Sequence, residues 1–177
     1  IGYWMVPLFI FAIVATSNAV NISDGLDGLA GGLLSAAFGA FGIIALVQNQ
    51  HNLAVFCFTV LGALLAYLWF NVYPARFFMG DVGSFAWGTT LGVVAMLTNS
   101  LLLLPVIGLI FVIEAGSSAI QIFSKKVFKR KIFISAPIHH HLEAKGWEET
   151  KITMRFWVIA IALAFVGIVL ALAEKRF

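Results

Sequence analysis

Charge is what this sequence most lacks. Only 11% of its 177 residues are Asp, Glu, Lys or Arg, against about 25% in soluble domains. Residues 28–75 and 82–113 carry none at all, so the chain cannot solvate the surface of an ordinary water-soluble globule. Cysteine is nearly absent too. Cys57 stands alone inside an apolar run, which excludes an internal disulfide and says little about redox compartment. The long runs show no strict apolar–polar alternation, and that excludes a membrane β-barrel. No basic stripe with interleaved aromatics is present either: the net charge of +3 belongs to one loop, so nucleic acid is not a partner.

What is there is hydrophobic, at 62%. A transmembrane helix needs roughly 20 apolar residues, and backbone groups in lipid must bond internally. The first charge-free run is too long for one crossing and breaks at "QNQHN" (48–52), and the second breaks at "TNS" (98–100). This predicts an all-α, polytopic transmembrane helical bundle with about six spans, at 1–17, 29–47, 53–70, 84–97, 101–123 and 153–173. The whole chain reads as a single integral-membrane domain, and its start at "IGYWMVPLF" predicts a piece of a longer protein.

Six crossings alternate sides, so loops 18–28, 71–83 and 124–152 share one face. They carry Arg76, Lys125, Lys126, Lys129, Arg130, Lys131, Lys145 and Lys151, whereas 48–52 and 98–100 carry no Lys or Arg. The positive-inside rule assigns the first set to the cytoplasm. Lys175 and Arg176 fall on the other side and do not outweigh the rest. Asp24, Asp27 and Asp81, the only aspartates, therefore collect at one membrane–water interface with His139, His140 and His141.

The polar stretches each allow a structural and a functional reading. In "NISDGLDGLAGG" (21–32), Asn21, Asp24 and Asp27 recur every three residues. They would share a face if helical, while the Asp-Gly pairs predict a turn into the second span. The plain reading is a pair of helix caps; a calcium loop is excluded by the ligand spacing. In "NVYPARFFMGDVGS" (71–84), Asp81 lies between Gly80 and Gly83. It is either another cap or a carboxylate placed to hold Mg²⁺ against phosphate oxygens. Phe77 and Phe78 read first as interfacial anchors. In "APIHHHLEAKGW" (136–147), three consecutive histidines point in different directions on a helix, and such runs rarely all ligate one ion. Phosphate contact or proton transfer by one or two of them is the functional reading. "SKKVFKRKIFIS" (124–135) mixes cations with apolar residues and suits anionic lipid. Glu114 and Gln121 sit inside the fifth span, where an ionisable group is a functional candidate and packing polarity the alternative. The small residues of "EAGSSA" predict a bend there.

Taken together, "NAVNISDGLDGLAGG", "WFNVYPARFFMGDVGS" and "APIHHHLEAKGW" resemble the cytoplasmic motifs of the polyprenyl-phosphate N-acetylhexosamine-1-phosphate transferases. The "APIHHH" form resembles the phospho-N-acetylmuramoyl-pentapeptide transferase branch. The resemblance covers essentially the whole chain. It implies attack of undecaprenyl phosphate on UDP-N-acetylmuramoyl-pentapeptide, giving lipid I and UMP with Mg²⁺ as cofactor, at the cytoplasmic face of the bacterial inner membrane, in a homodimer. Residue by residue, it implies that Asp81 binds Mg²⁺, and that Asn21, Asp24 and Asp27 line the nucleotide-sugar pocket. Phe78 matches an aromatic stacked on uracil, and Asn71 a polar group beside it. Gln121, His140 and His141 match the cleft lining, the two histidines near the phosphates as catalytic residues with Asp81. The family has about ten spans and an N-terminal half with paired aspartates and a lysine. No adjacent Asp pair occurs here, so the chain is expected to be the C-terminal portion. The alternatives are a sister enzyme that moves N-acetylglucosamine-1-phosphate and a cation transporter. The transporter would need carboxylates deep in several spans, and only Glu114 fits.

Overall fold

The computed structural model describes residues 2–174. Lys175 and Arg176 lie outside them. A 3-10 turn (Gly2–Trp4) leads into α1 (Met5–Ser23), α2 (Leu29–Val47), α3 (His51–Asn71) and α4 (Gly80–Leu97). A second 3-10 turn (Leu101–Leu103) precedes α5 (Leu104–Ile107), α6 (Leu109–Val127), α7 (Ile138–Ala144) and α8 (Glu149–Glu174). Among the described residues there is no strand. The fold is the all-α polytopic bundle that the composition predicts.

The helices stop where the polar breaks fall, and for one physical reason. Asn49 and Asn99 adopt left-handed backbone conformations, with φ of 60° and 51°. Each directs its own N–H and the next one back onto the preceding turn. Gln50 N–H bonds Ala45 O at 2.9 Å and Ser100 N–H bonds Ala95 O at 3.0 Å. These are Schellman closures, with Asn in the place glycine usually takes. They turn the chain without burying bare carbonyls.

α2 is the axis of the bundle. It packs on α3 and α8, while α1 packs on α4 and α6. Leu29, Leu33, Leu34, Phe38, Phe41 and Ile44 of α2 are all buried, as expected of a helix apolar all round. In lipid, helices associate through close packing rather than water exclusion, and glycine provides the approach. A Cβ on Gly88 of α4 would sit 2.7 Å from Thr16 O and Ser17 Cα of α1, so these two backbones all but touch. The outward surfaces are apolar. Met154, Val158, Ile161, Phe165 and Val169 form an exposed stripe along α8.

Four helices are long and apolar enough to cross a membrane, with the α5–α6 pair as a fifth if the pair is one span. α4, which is not among these, occupies the place of the fourth predicted crossing, 84–97. It starts at Gly80 rather than residue 84 and includes Asp81, so its first turn is polar. The bend predicted near "EAGSSA" falls instead at Gly108, where α5 and α6 meet at 80°. Pro105 starts α5, and Gly108 breaks the run with φ −96° and ψ 27°. α6 itself runs on unbroken through Glu114. Its buried face holds Glu114, Ser117, Gln121 and Ser124, whereas Val112, Ile113, Ile120 and Phe123 are exposed. This inside-out pattern suits a helix with lipid on one side and a polar cleft on the other.

Candidate active site

The three motif stretches meet at one end of the bundle. Asn21 lies in the last turn of α1, Asp24 is that helix's C-cap, and Asp27 sits in the turn before α2. The turn, not a common helix face, therefore groups them. Nor are Asp24 and Asp27 caps of α2. Its N-cap is Gly28, at φ 74° and without a side-chain cap, a conformation that suits glycine. Asp81 does lie in the first turn of α4, where the helix dipole favours a carboxylate.

Asn21 joins the first two motifs. Its Nδ2 donates to Asp81 Oδ1 and to Ser84 Oγ, both at 2.9 Å. The Ser84 hydroxyl donates in turn to Asp81 O at 3.2 Å. Asp24 feels both its burial and the negative charge of Asp81, and these push its carboxyl up to about 6 from 3.8. A buried carboxylate whose charge is opposed by a second one is an arrangement a divalent cation relieves. Among the described residues no three His, Cys, Asp or Glu side chains gather into a metal cage. Two carboxylates are fewer ligands than structural zinc takes; they are residues that could hold Mg²⁺, which takes one or two carboxylates and completes its shell with water and phosphate.

Asp27 faces the other way and ties the turn down. Its Oδ2 accepts Ala75 N–H at 2.9 Å, and its own N–H donates to Glu149 Oε1 at 2.6 Å. Asn71 is a strap between two loops. Its Oδ1 accepts Gly28 N–H at 3.1 Å, and its Nδ2 donates to Phe77 O at 2.9 Å. Trp157 Nε1 donates to Gly28 O at 3.1 Å, pinning the same turn from α8. The neighbouring phenylalanines separate. Phe77 packs edge-on against Tyr67 at 5.4 Å, whereas Phe78 is 72% exposed.

Gln121 clamps the basic loop. Its Oε1 accepts Ile132 N–H and Phe133 N–H at 3.0 and 3.1 Å, and its Nε2 donates to Phe133 O at 2.9 Å. It also borders a cavity of about 310 Å³ shared with Ser118, Lys125, Lys131 and Ser135. The three histidines bond different partners, although the His139 and His140 rings touch at 4.2 Å between centroids. His140 Nδ1 meets Glu143 Oε2 at 2.5 Å. His141 Nδ1 accepts Ile134 N–H at 3.1 Å, a bond made by the neutral ring that leaves its proton on Nε2. Both are partly exposed. His139 turns inward, and its Nδ1 pairs with Glu114 at 2.8 Å, both side chains fully buried.

Three contributors escape a reading of the sequence: Glu149, Trp157 and Ser84. They lie in stretches whose composition reads as helix or loop. Only the pairing across 122, 129 and 63 positions gives them a place at the turn.

Comparison with known proteins finds a family and relatives. A family model described as Glycosyl transferase family 4 matches residues 1–99. The chain is 51% identical over 180 residues to a phospho-N-acetylmuramoyl-pentapeptide-transferase of Chloroflexus aurantiacus, covering 97% of this chain and 49% of that protein. It is 50% identical over 171 residues to one of Levilactobacillus brevis, covering 97% and 53%. To one of Geobacillus kaustophilus it is 46% identical over 168 residues, covering 95% and 52%. The chain spans about half the length of the curated relatives it matches. With more than half of its residues under the family model and its polar motifs gathered at one end of a helical bundle, the chain belongs to glycosyl transferase family 4.

Proposed function

We propose that this chain forms part of a phospho-N-acetylmuramoyl-pentapeptide transferase. It joins the phosphosugar of UDP-N-acetylmuramoyl-pentapeptide to undecaprenyl phosphate, with release of UMP and formation of lipid I. The observation that carries the reading is the Asn21–Asp81–Asp24 group at the polar end of an apolar bundle. One substrate is a lipid whose phosphate lies at the membrane surface, and the other is a water-soluble nucleotide. An enzyme that joins them needs its charge handling at that boundary, and here the loops meet there.

Phosphoryl transfer depends on alignment and charge neutralisation. Mg²⁺, when bound, would supply positive charge to the donor's pyrophosphate as UMP leaves, and Asp81, with Asp24 near it, would hold it. Asn21 keeps Asp81 oriented. Phe78 stacks on the uracil, with Asn71 holding the backbone beside it. Asp24 and Asp27 line the nucleotide-sugar pocket. Gln121 shapes the wall near His140 and His141, which face the phosphates. A lipid phosphate is already anionic at neutral pH, so attack requires no base from the chain. The cations of the basic loop support a cytoplasmic position for this end; the family resemblance supports the bacterial inner membrane and a homodimer.

The test is Asp81→Asn in the intact protein. UMP release should fall by at least about a hundredfold, the scale set by losing a metal's charge stabilisation, while the detergent-purified protein stays folded. Near-normal release by a folded variant refutes the assignment. Supplying UDP-N-acetylglucosamine in parallel separates the sister activity. Transport, the other alternative, finds little support: Glu114 is closed off by His139.

A further inference from the structure

Among the described residues the Glu114–His139 pair is the one ion pair buried completely, and its imidazole touches the ring of His140 at 4.2 Å between centroids. Both side chains are 0% exposed and joined at 2.8 Å. Their outer atoms, Glu114 Oε1 and His139 Nε2, are buried without a hydrogen-bond partner. Such orphaned atoms are expensive and call for a compensating role. The place to which Nε2 points supplies one. A Cβ built on Gly25 would stand 2.5 Å from His139 Nε2 and 3.0 Å from Cε1, so the ring edge lies directly under the Gly25 backbone. Gly25 has an ordinary negative-φ backbone. Steric fit, not backbone conformation, makes glycine necessary there.

Gly25 lies between Asp24 and Leu26, in the turn that carries both pocket aspartates. On the Asp27 side that turn is tied by Glu149, Ala75 and Asn71. On the Asp24 side it rests on His139.

We infer that Glu114 and His139 form a buried positioning device for the Asp24–Asp27 turn. Glu114 fixes the imidazole through Nδ1, and the opposite ring edge sets how far Asp24 stands from Asp81. His139 acts through Gly25 and does not touch substrate. The inference rests on the transferase reading above, because displaced carboxylates matter through the chemistry they serve.

The experiment is a compensating pair in the intact protein, purified in detergent. Gly25→Ala puts a methyl where the ring edge is. His139→Asn keeps a donor for Glu114 but withdraws Cε1 and Nε2, vacating the space that methyl would fill. Each single variant should lower kcat about tenfold or more, since ångström displacements cost up to about a hundredfold. The double variant should recover at least about threefold over either single one. The unfolding midpoint, measured without substrate, should show the same non-additivity. If Gly25→Ala fails to accumulate, recovery of folded protein in the double variant is the equivalent readout. Gly167→Ala serves as a control for simple destabilisation. It clashes with Ile107 at 2.3 Å and lies ~27 Å along α8 from Glu149. It should lower the midpoint and leave kcat within about twofold. Glu114→Gln, which keeps an acceptor for Nδ1, should be milder than Glu114→Leu.

A double variant no better than His139→Asn overturns the inference, and His139 then acts through its contact with His140 or in the reaction itself. An additive unfolding cycle also overturns it, as does a Gly167→Ala loss of kcat equal to that of Gly25→Ala. If the wild-type protein releases no UMP from any donor, the transferase reading fails by itself. The unfolding cycle then still decides the contact.

Discussion

The tightest helix approach that also reaches the turn is at Gly32, and replacing it by alanine tests how the bundle holds its site. A Cβ there would lie 2.0 Å from Trp157 Nε1, 2.2 Å from Cε2 and 2.7 Å from Cδ1. No rotation of a methyl relieves that, so the indole must leave or α8 must move off α2. Overpacking of this kind costs about 1–3 kcal/mol. Trp157 also loses its bond to Gly28 O, worth about 1 kcal/mol net. The expected destabilisation of Gly32→Ala is therefore ~2–4 kcal/mol. The turn bearing Asp27 loses its pin from α8, so UMP release should fall with stability. Unfolding of the detergent-solubilised protein by graded SDS measures the first effect and a UMP assay the second. Trp157→Phe added to Gly32→Ala should return most of the packing loss but not the hydrogen bond, leaving a deficit of about 1 kcal/mol. A Gly32→Ala variant within about 0.5 kcal/mol of wild type, the range of ordinary surface changes, would show that α8 does not hold the turn.

Two further outcomes are open to measurement. Asp24 has a folded-state pKa of about 6 against 3.8 for the free side chain. In magnesium-free detergent its charge therefore opposes folding above about pH 6, and that penalty disappears as pH falls towards 4. Asp24→Asn should raise the unfolding midpoint at pH 7 and change it little at pH 4, and an equal change at both would refute the assignment. Cysteines introduced at positions 50 and 140 report orientation: an impermeant thiol reagent outside intact cells should label 50 and spare 140, and the reverse would invert the topology.

Much of the architecture is legible in the residues because lipid imposes a simple rule. A charge-free run must be helical, and it must end where polar residues can reach water. That is why 29–47 coincides with α2, why "QNQHN" and "TNS" mark the turns, and why the aspartates and histidines share one end. What the sequence hides is which way each helix faces. α2, α3 and α8 are apolar nearly all round, so periodicity does not separate the lipid side from the packed side. Hence Asn71 and Gln121, expected as substrate contacts, are seen to strap loops only once their partners are in place. Phe77 and Phe78 are equivalent on paper, yet only Phe78 stands open. The bend falls at Gly108, just after Pro105, rather than beside Glu114, which lies within a continuous helix. Composition decides that this chain is a membrane bundle with a polar end. Packing between distant helices decides which polar groups face each other there, since no local pattern specifies contacts across sixty or more residues.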